Sequence, residues 1–65
     1  MRNKLIALRG DRKRKEIANT LSITPQMLGA IERGNRNPSL ELAISLAKLY
    51  NITLDDLIFL LNIDT

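Results

Sequence analysis

Two clusters of cations, Arg12-Lys13-Arg14-Lys15 and Arg33 with Arg36, carry most of the chemistry open to this sequence, and one carboxamide, Gln26, lies between them. Guanidinium and ammonium groups only donate hydrogen bonds and suit oxyanions, whereas an amide both donates and accepts and can match a pattern of polar edges. Binding, not catalysis, is the chemistry these types imply. The sequence has no histidine and no cysteine, which removes the commonest general base, the thiolate nucleophile, the usual zinc ligands and any disulfide. It has no glycine-rich phosphate loop and no acid pair at ligand spacing, since Asp55 and Asp56 read as the acids of a helix start. No enzyme activity, cofactor, metal or small-molecule ligand is expected.

The net charge of +3 conceals an asymmetry. Residues 1 to 37 hold nine basic residues against three acidic ones, +6, and residues 38 to 65 hold Lys48 against Glu41, Asp55, Asp56 and Asp64, −3. A polyanion on the basic half is one reading, and a solvated basic face is the other. Sixty-five residues make one domain, 1 to 65, near the lower size at which a chain folds without disulfides or metals. The apolar runs are too short to span a membrane and the N-terminus lacks the apolar region of a secretion signal, so a cytoplasmic location is expected.

Helical spacing dominates the chain and predicts five helices. The first runs from about Arg2 to Arg9, with Leu5 and Leu8 inward, and Gly10-Asp11 connects it to a second, roughly Lys13 to Leu21, with Ile17, Ala18 and Leu21 on one face. The start of the second is weak: Asp11 is the available N-cap, and successive cations in a first turn oppose the helix dipole, a conflict that a nearby anion would relieve. Thr24 as N-cap and Pro25 in the first turn open a third helix to about Arg33, which Gly34 closes. Only Ser22 and Ile23 separate it from the second helix, which forces a steep crossing with Ile23 in the corner. Ser39 caps a fourth helix to about Tyr50, stopped by Asn51; Glu41, Ser45 and Lys48 form its one polar stripe, so its other faces should be covered at the centre of the bundle. Thr53 caps a fifth, through about Leu61, with Leu54, Leu57, Ile58 and Leu61 inward.

A helix, then Lys13-Arg14-Lys15-Glu16-Ile17-Ala18, a turn, Thr24 to Ile31, Glu32-Arg33-Gly34 and Asn37-Pro38-Ser39, in that order, resembles the phage-repressor type of helix-turn-helix domain, the Cro-like or XRE family, over essentially the whole chain. The resemblance implies an all-α, five-helix lambda-repressor-like fold with the helix-turn-helix at helices 2 and 3. It also implies a transcriptional repressor that binds an inverted repeat in double-stranded DNA as a homodimer. The third helix would enter the major groove, with Pro25, Gln26, Met27, Gly29 and Ala30 at base-contacting positions. Gln26 is the strongest reader, able to pair with adenine N6 and N7, and Pro25, Met27 and Ala30 offer apolar contact to a thymine methyl. Gly29 has nothing to read with; close packing or simple tolerance of a weak helix former is one reading of it, and close approach to the DNA backbone is the other.

Phosphate contacts would come from Lys13, Arg14 and Lys15 on one side and Arg33, Asn35 and Arg36 on the other. Similar domains usually have a Ser or Thr and then Gln where this chain has Lys13 and Arg14. The exchange removes a cap, adds charge and predicts a steep salt dependence. Arg9 and Glu32 match a pair that ties helices 1 and 3 behind the reading helix. Ser22 replaces a common turn glycine and, because serine enters the left-handed region only at a cost, the turn there could depart from the family's. Phe59, Leu60 and Ile63 form a second apolar face on the last helix, expected at a dimer interface, with capping of the core beside helix 1 as the other reading. The alternative function is a protein-interaction module, such as the antitoxin of a toxin-antitoxin pair.

Overall fold

The last three helices begin where a side-chain hydroxyl supplies what the backbone lacks. The computed structural model describes residues 1–63 and contains α1 (Asn3–Arg9), α2 (Arg14–Thr20), α3 (Pro25–Arg33), α4 (Leu40–Leu49) and α5 (Leu54–Ile63), with no strand among the described residues. Thr24 Oγ1 accepts from the Met27 amide at 3.1 Å, Ser39 Oγ from Leu42 at 3.2 Å and Thr53 Oγ1 from Asp56 at 3.0 Å. These three bonds satisfy donors that the first turns of α3, α4 and α5 would otherwise leave orphaned. Gly34 closes α3 in the left-handed conformation at φ 85°, and the amides of Asn35 and Arg36 both turn back to the Ala30 carbonyl, at 2.9 and 3.3 Å.

α2 has no such start. Lys13, not Asp11, stands at its N-cap and makes no side-chain cap bond, so the helix is held by what it packs against. Ile17 and Ala18 are buried, and the chain then turns sharply through Leu21 to Ile23 into α3. The turn keeps its left-handed residue: Ser22 sits at φ 59°, so serine bears the cost where glycine would bear little. Ser22→Gly is expected to raise the unfolding free energy by about 0.5–1 kcal/mol, read from urea denaturation midpoints at constant m-value.

α2 packs on α3, α4 on α5, and α1 touches both α3 and α5, joining the two pairs. Leu5, Ile17, Leu28, Ile31, Ala43, Leu46, Ala47, Tyr50, Leu57 and Leu61 form the core, one or more from every helix and its flank, with Leu8, Leu21 and Ile23 packed around it. Full burial of one such leucine contributes about 1.5–3 kcal/mol, so a core this small depends on each member. The covering of α4 is less complete than its pattern predicts: Leu40 and Ile44 are exposed, although Ala43, Leu46 and Ala47 are buried. On α5, Ile58 is not an inner residue but 42 % exposed, beside Phe59 and Ile63. A helix apolar on nearly every side does not reveal from its own sequence which side faces in.

Candidate nucleic-acid interface

Helical geometry sets what α3 presents. Leu28, Ile31 and Glu32 are buried and fix its inner side, so Gln26, Ala30 and Arg33 fall on the opposite side, with Met27 on one flank and Pro25 and Gly29 on the other. Gln26 and Arg33 are exposed, Ala30, Pro25 and Met27 half-buried. Ile23, Thr24, Gln26, Met27, Ala30 and Arg36 line an open, mostly apolar cleft beside the helix, with an amide and a guanidinium among its lining groups. Met27 also packs against the core, so its side chain is shared between the cleft and the interior.

Two expected contact residues have neighbours that their spacing alone does not specify. Gly29 is buried, in keeping with the close-packing reading: a Cβ placed on it would meet Arg33 Nη1 at 3.1 Å and Arg14 Nη1 at 3.4 Å. Arg14 is not a free cation, because its Nε donates to Glu32 Oε1 at 3.2 Å. Lys13, Lys15, Arg33, Asn35 and Arg36 are exposed, and among the described residues no carboxylate pairs with Arg33.

Glu32 is the electrostatic hub behind this face. Its carboxylate is buried and accepts from Arg9 Nε at 2.7 Å on Oε2 and from Arg14 on Oε1, which links α1, α2 and α3 at one point. Arg9 also donates to the Arg12 carbonyl, and Arg12 returns donors to the Arg9 and Leu8 carbonyls at the end of α1. The Arg12 guanidinium lies 5.4 Å from the Tyr50 ring centroid, a cation–π distance. Burial, and then the Glu32 carboxylate, push the Tyr50 phenol above its ordinary range, while Arg12 and Arg9 pull it back.

Arg2 is the residue that sequence reasoning missed. Counted there with the basic surface, it is buried, and its guanidinium donates to the Ile31 carbonyl at 2.9 Å, the Arg36 carbonyl at 2.9 Å and Asn37 Oδ1. Its backbone amide donates to the Glu32 carbonyl at 2.8 Å. No acid pairs with it in these bonds; the Ile31 carbonyl near the C-terminal end of α3, where the helix dipole is negative, and two acceptors of the following loop take its donors instead. Nothing local in the sequence signals this, because the partners lie about thirty residues away. With Arg2 buried, Arg9 and Arg14 held by Glu32 and Arg12 turned to α1, the basic face is narrower than charge counting suggests.

Five helices among the described residues, α2 packed on α3 across a turn of a few residues, and exposed polar residues on α3 define the Cro-like class of helix-turn-helix domain. The chain matches the helix-turn-helix family over residues 4–57 and belongs to it. It is 48 % identical over 44 residues to the HTH-type transcriptional regulator DdrOP3 of Deinococcus deserti, covering 68 % of this chain and 34 % of that protein. The chain thus spans about a third of that relative's length. It is 34 % identical over 59 residues to an uncharacterized HTH-type transcriptional regulator of Methanocaldococcus jannaschii, covering 88 % of this chain and 89 % of the relative. It is 32 % identical over 62 residues to the uncharacterized HTH-type transcriptional regulator YgzD of Bacillus subtilis, covering 92 % and 94 %. No solved structure gives a significant match. Among the described residues no helix is long and apolar enough to cross a membrane.

Proposed function

We propose that this chain is a sequence-specific DNA-binding transcriptional regulator, acting as a repressor on an inverted-repeat operator as a homodimer, with α3 in the major groove. The observation that carries the reading is Gln26: an exposed amide at the start of α3, flanked by Lys13 and Lys15 at the start of α2 and by Arg33, Asn35 and Arg36 after it. In that setting the amide reads an adenine edge and the apolar Met27 and Ala30 in the cleft lining accept an adjoining thymine methyl. Lys13, Arg14, Lys15, Arg33, Asn35 and Arg36 supply the phosphate contacts that set affinity without choosing sequence. Three relatives named as transcriptional regulators support the role.

The exposed apolar groups Ile58, Phe59 and Ile63 of α5, with Leu60 half-buried beside them, support self-association through that helix. A dimer places two copies of α3 about 34 Å apart, one turn of DNA. The test is a fluorescence titration against duplexes selected from the DNA upstream of the chain's own gene, across a salt series. Gln26→Ala is expected to cost about 1–3 kcal/mol on the selected site and nearly nothing on random duplex. Arg36→Ala should weaken both alike and lower the salt slope by about 1. Equal behaviour of the two variants would sink this division of labour, and salt-sensitive binding to no sequence would sink the regulator itself.

A further inference from the structure

A glycine in the middle of a reading helix weakens the helix and reads no base, so its presence needs a cause. Around Gly29 the structure places two guanidinium groups: Arg33 Nη1 and Arg14 Nη1 crowd the one spot that a Cβ would take, at 3.1 and 3.4 Å from it, and the Arg14 Cδ methylene lies 3.8 Å away. The two cations come from different helices, Arg14 from the first turn of α2 and Arg33 from the last turn of α3. Like charges converge this closely only where something opposes their repulsion. Glu32 does so in part, but its carboxylate already serves Arg9 as well as the Arg14 Nε, and no carboxylate among the described residues faces Arg33. Two guanidinium groups, Arg9 and Arg14, therefore share the Glu32 carboxylate while Arg33 has none among the described residues, and the unmatched Nη1 donors of Arg14 and Arg33 gather above Gly29.

We propose that Gly29 is a positioning residue whose missing side chain seats Arg14 and Arg33 as a two-arginine fork for a single phosphate of the DNA backbone. The fork rests on the DNA-binding reading above and adds to it a site and a reason for the glycine. Glu32 orients one tine by holding the Arg14 Nε and leaves the Nη donors free to grip an oxyanion, the planar geometry in which arginine binds phosphate best. Glycine acts here through the arginines and not by making room for DNA.

Gly29→Ala and Gly29→Leu form a graded test. Alanine requires the Arg33 Nη1 to give by a few tenths of an ångström, whereas leucine fills the seat. Both are better helix formers than glycine, so thermal stability should hold or rise. Affinity for duplex should fall about threefold for alanine and about tenfold for leucine, with the salt slope of the leucine variant lower by about 1. In an Arg33→Ala background the leucine substitution should cost no further affinity, because the fork is already broken. A full further loss there would mean that leucine collides with DNA itself, and the proposal would be overturned; unchanged affinity in the single variants would overturn it equally.

A second readout does not depend on DNA. Titration of the protein with inorganic phosphate at low ionic strength should move the side-chain Nε–Hε resonances of Arg14 and Arg33 together and saturably, and leave them still in Gly29→Leu. If the protein bound no duplex but this response were present, the regulator reading would fall and the anion fork would stand. No paired response in the wild type would overturn the fork whatever the DNA result.

Discussion

Glu32→Gln should lower the unfolding free energy by about 3–5 kcal/mol, enough to leave much of the population unfolded at 37 °C, since a domain of this length is stable by roughly 3–10 kcal/mol in all. Glutamine keeps the shape and one acceptor oxygen but removes the charge. Its loss strands the arginine beside it, and the expense is set by how dry that arginine is. The side chains of Glu32 and Arg9 are 1 % and 16 % exposed, whereas Arg14 is 45 % exposed and can turn to water. The pair with Arg9 therefore carries most of the effect, and the pair with Arg14 is screened to a surface value, about 0–1 kcal/mol. Chemical denaturation should rank the variants accordingly, with Glu32→Gln and Arg9→Ala severe and Arg14→Ala mild. An Arg14→Ala as damaging as Arg9→Ala would refute this ordering. Because Arg14→Ala stays folded, its effect on DNA binding can be read without correcting for unfolded protein.

What could be read from the residue order is what short-range physics decides. Thr24, Ser39 and Thr53 cap because a hydroxyl lies within reach of an amide three residues on, and Gly34 closes α3 because the left-handed turn suits it. These four residues place the boundaries of α3, α4 and α5 at their starts and set the end of α3. Long-range physics decided the rest. At Gly29 close packing and close approach to DNA stood as alternative readings until α2 brought Arg14 across it, and Arg14 counted as a phosphate-binding cation before Glu32 was found to face it. Ile58 and Phe59 are adjacent and similar in hydropathy, and only the packing of α4 and α1 on α5 settles which residues point inward. Burial of Leu57 and Leu61 and exposure of Ile58, Phe59 and Ile63 leave a face that the sequence had flagged through Phe59, Leu60 and Ile63 and assigned one residue too narrowly.

Arg2 ties the start of the chain to the end of α3 and the loop after it, and Arg2→Met is expected to show what it holds. Methionine keeps the length and apolar stem but withdraws three donors, from the Ile31 and Arg36 carbonyls and from Asn37 Oδ1. Hydrogen bonds from a charged donor contribute about 1.5–3 kcal/mol each, but here the sum overstates the loss. The Ile31 carbonyl keeps the Gly34 amide at 3.1 Å, and the buried Arg2 Nε has no partner among the described residues, so arginine itself bears a desolvation cost that methionine does not. A net loss of about 2–4 kcal/mol follows, with Arg2→Lys between the two because one ammonium cannot span three acceptors. The functional consequence lies in the loop. Asn35 and Arg36 are held to α3 from one side by their amides on the Ala30 carbonyl and from the other by Arg2 on the Arg36 carbonyl and Asn37. With the second tie cut, hydrogen exchange at the Asn35 and Arg36 amides should quicken well before global unfolding, and duplex affinity should fall while the preference that depends on Gln26 persists. Exchange at those two amides that rises only with global unfolding would show that the Ala30 carbonyl alone fixes the loop. In that case Arg2 would act on stability without acting on the interface.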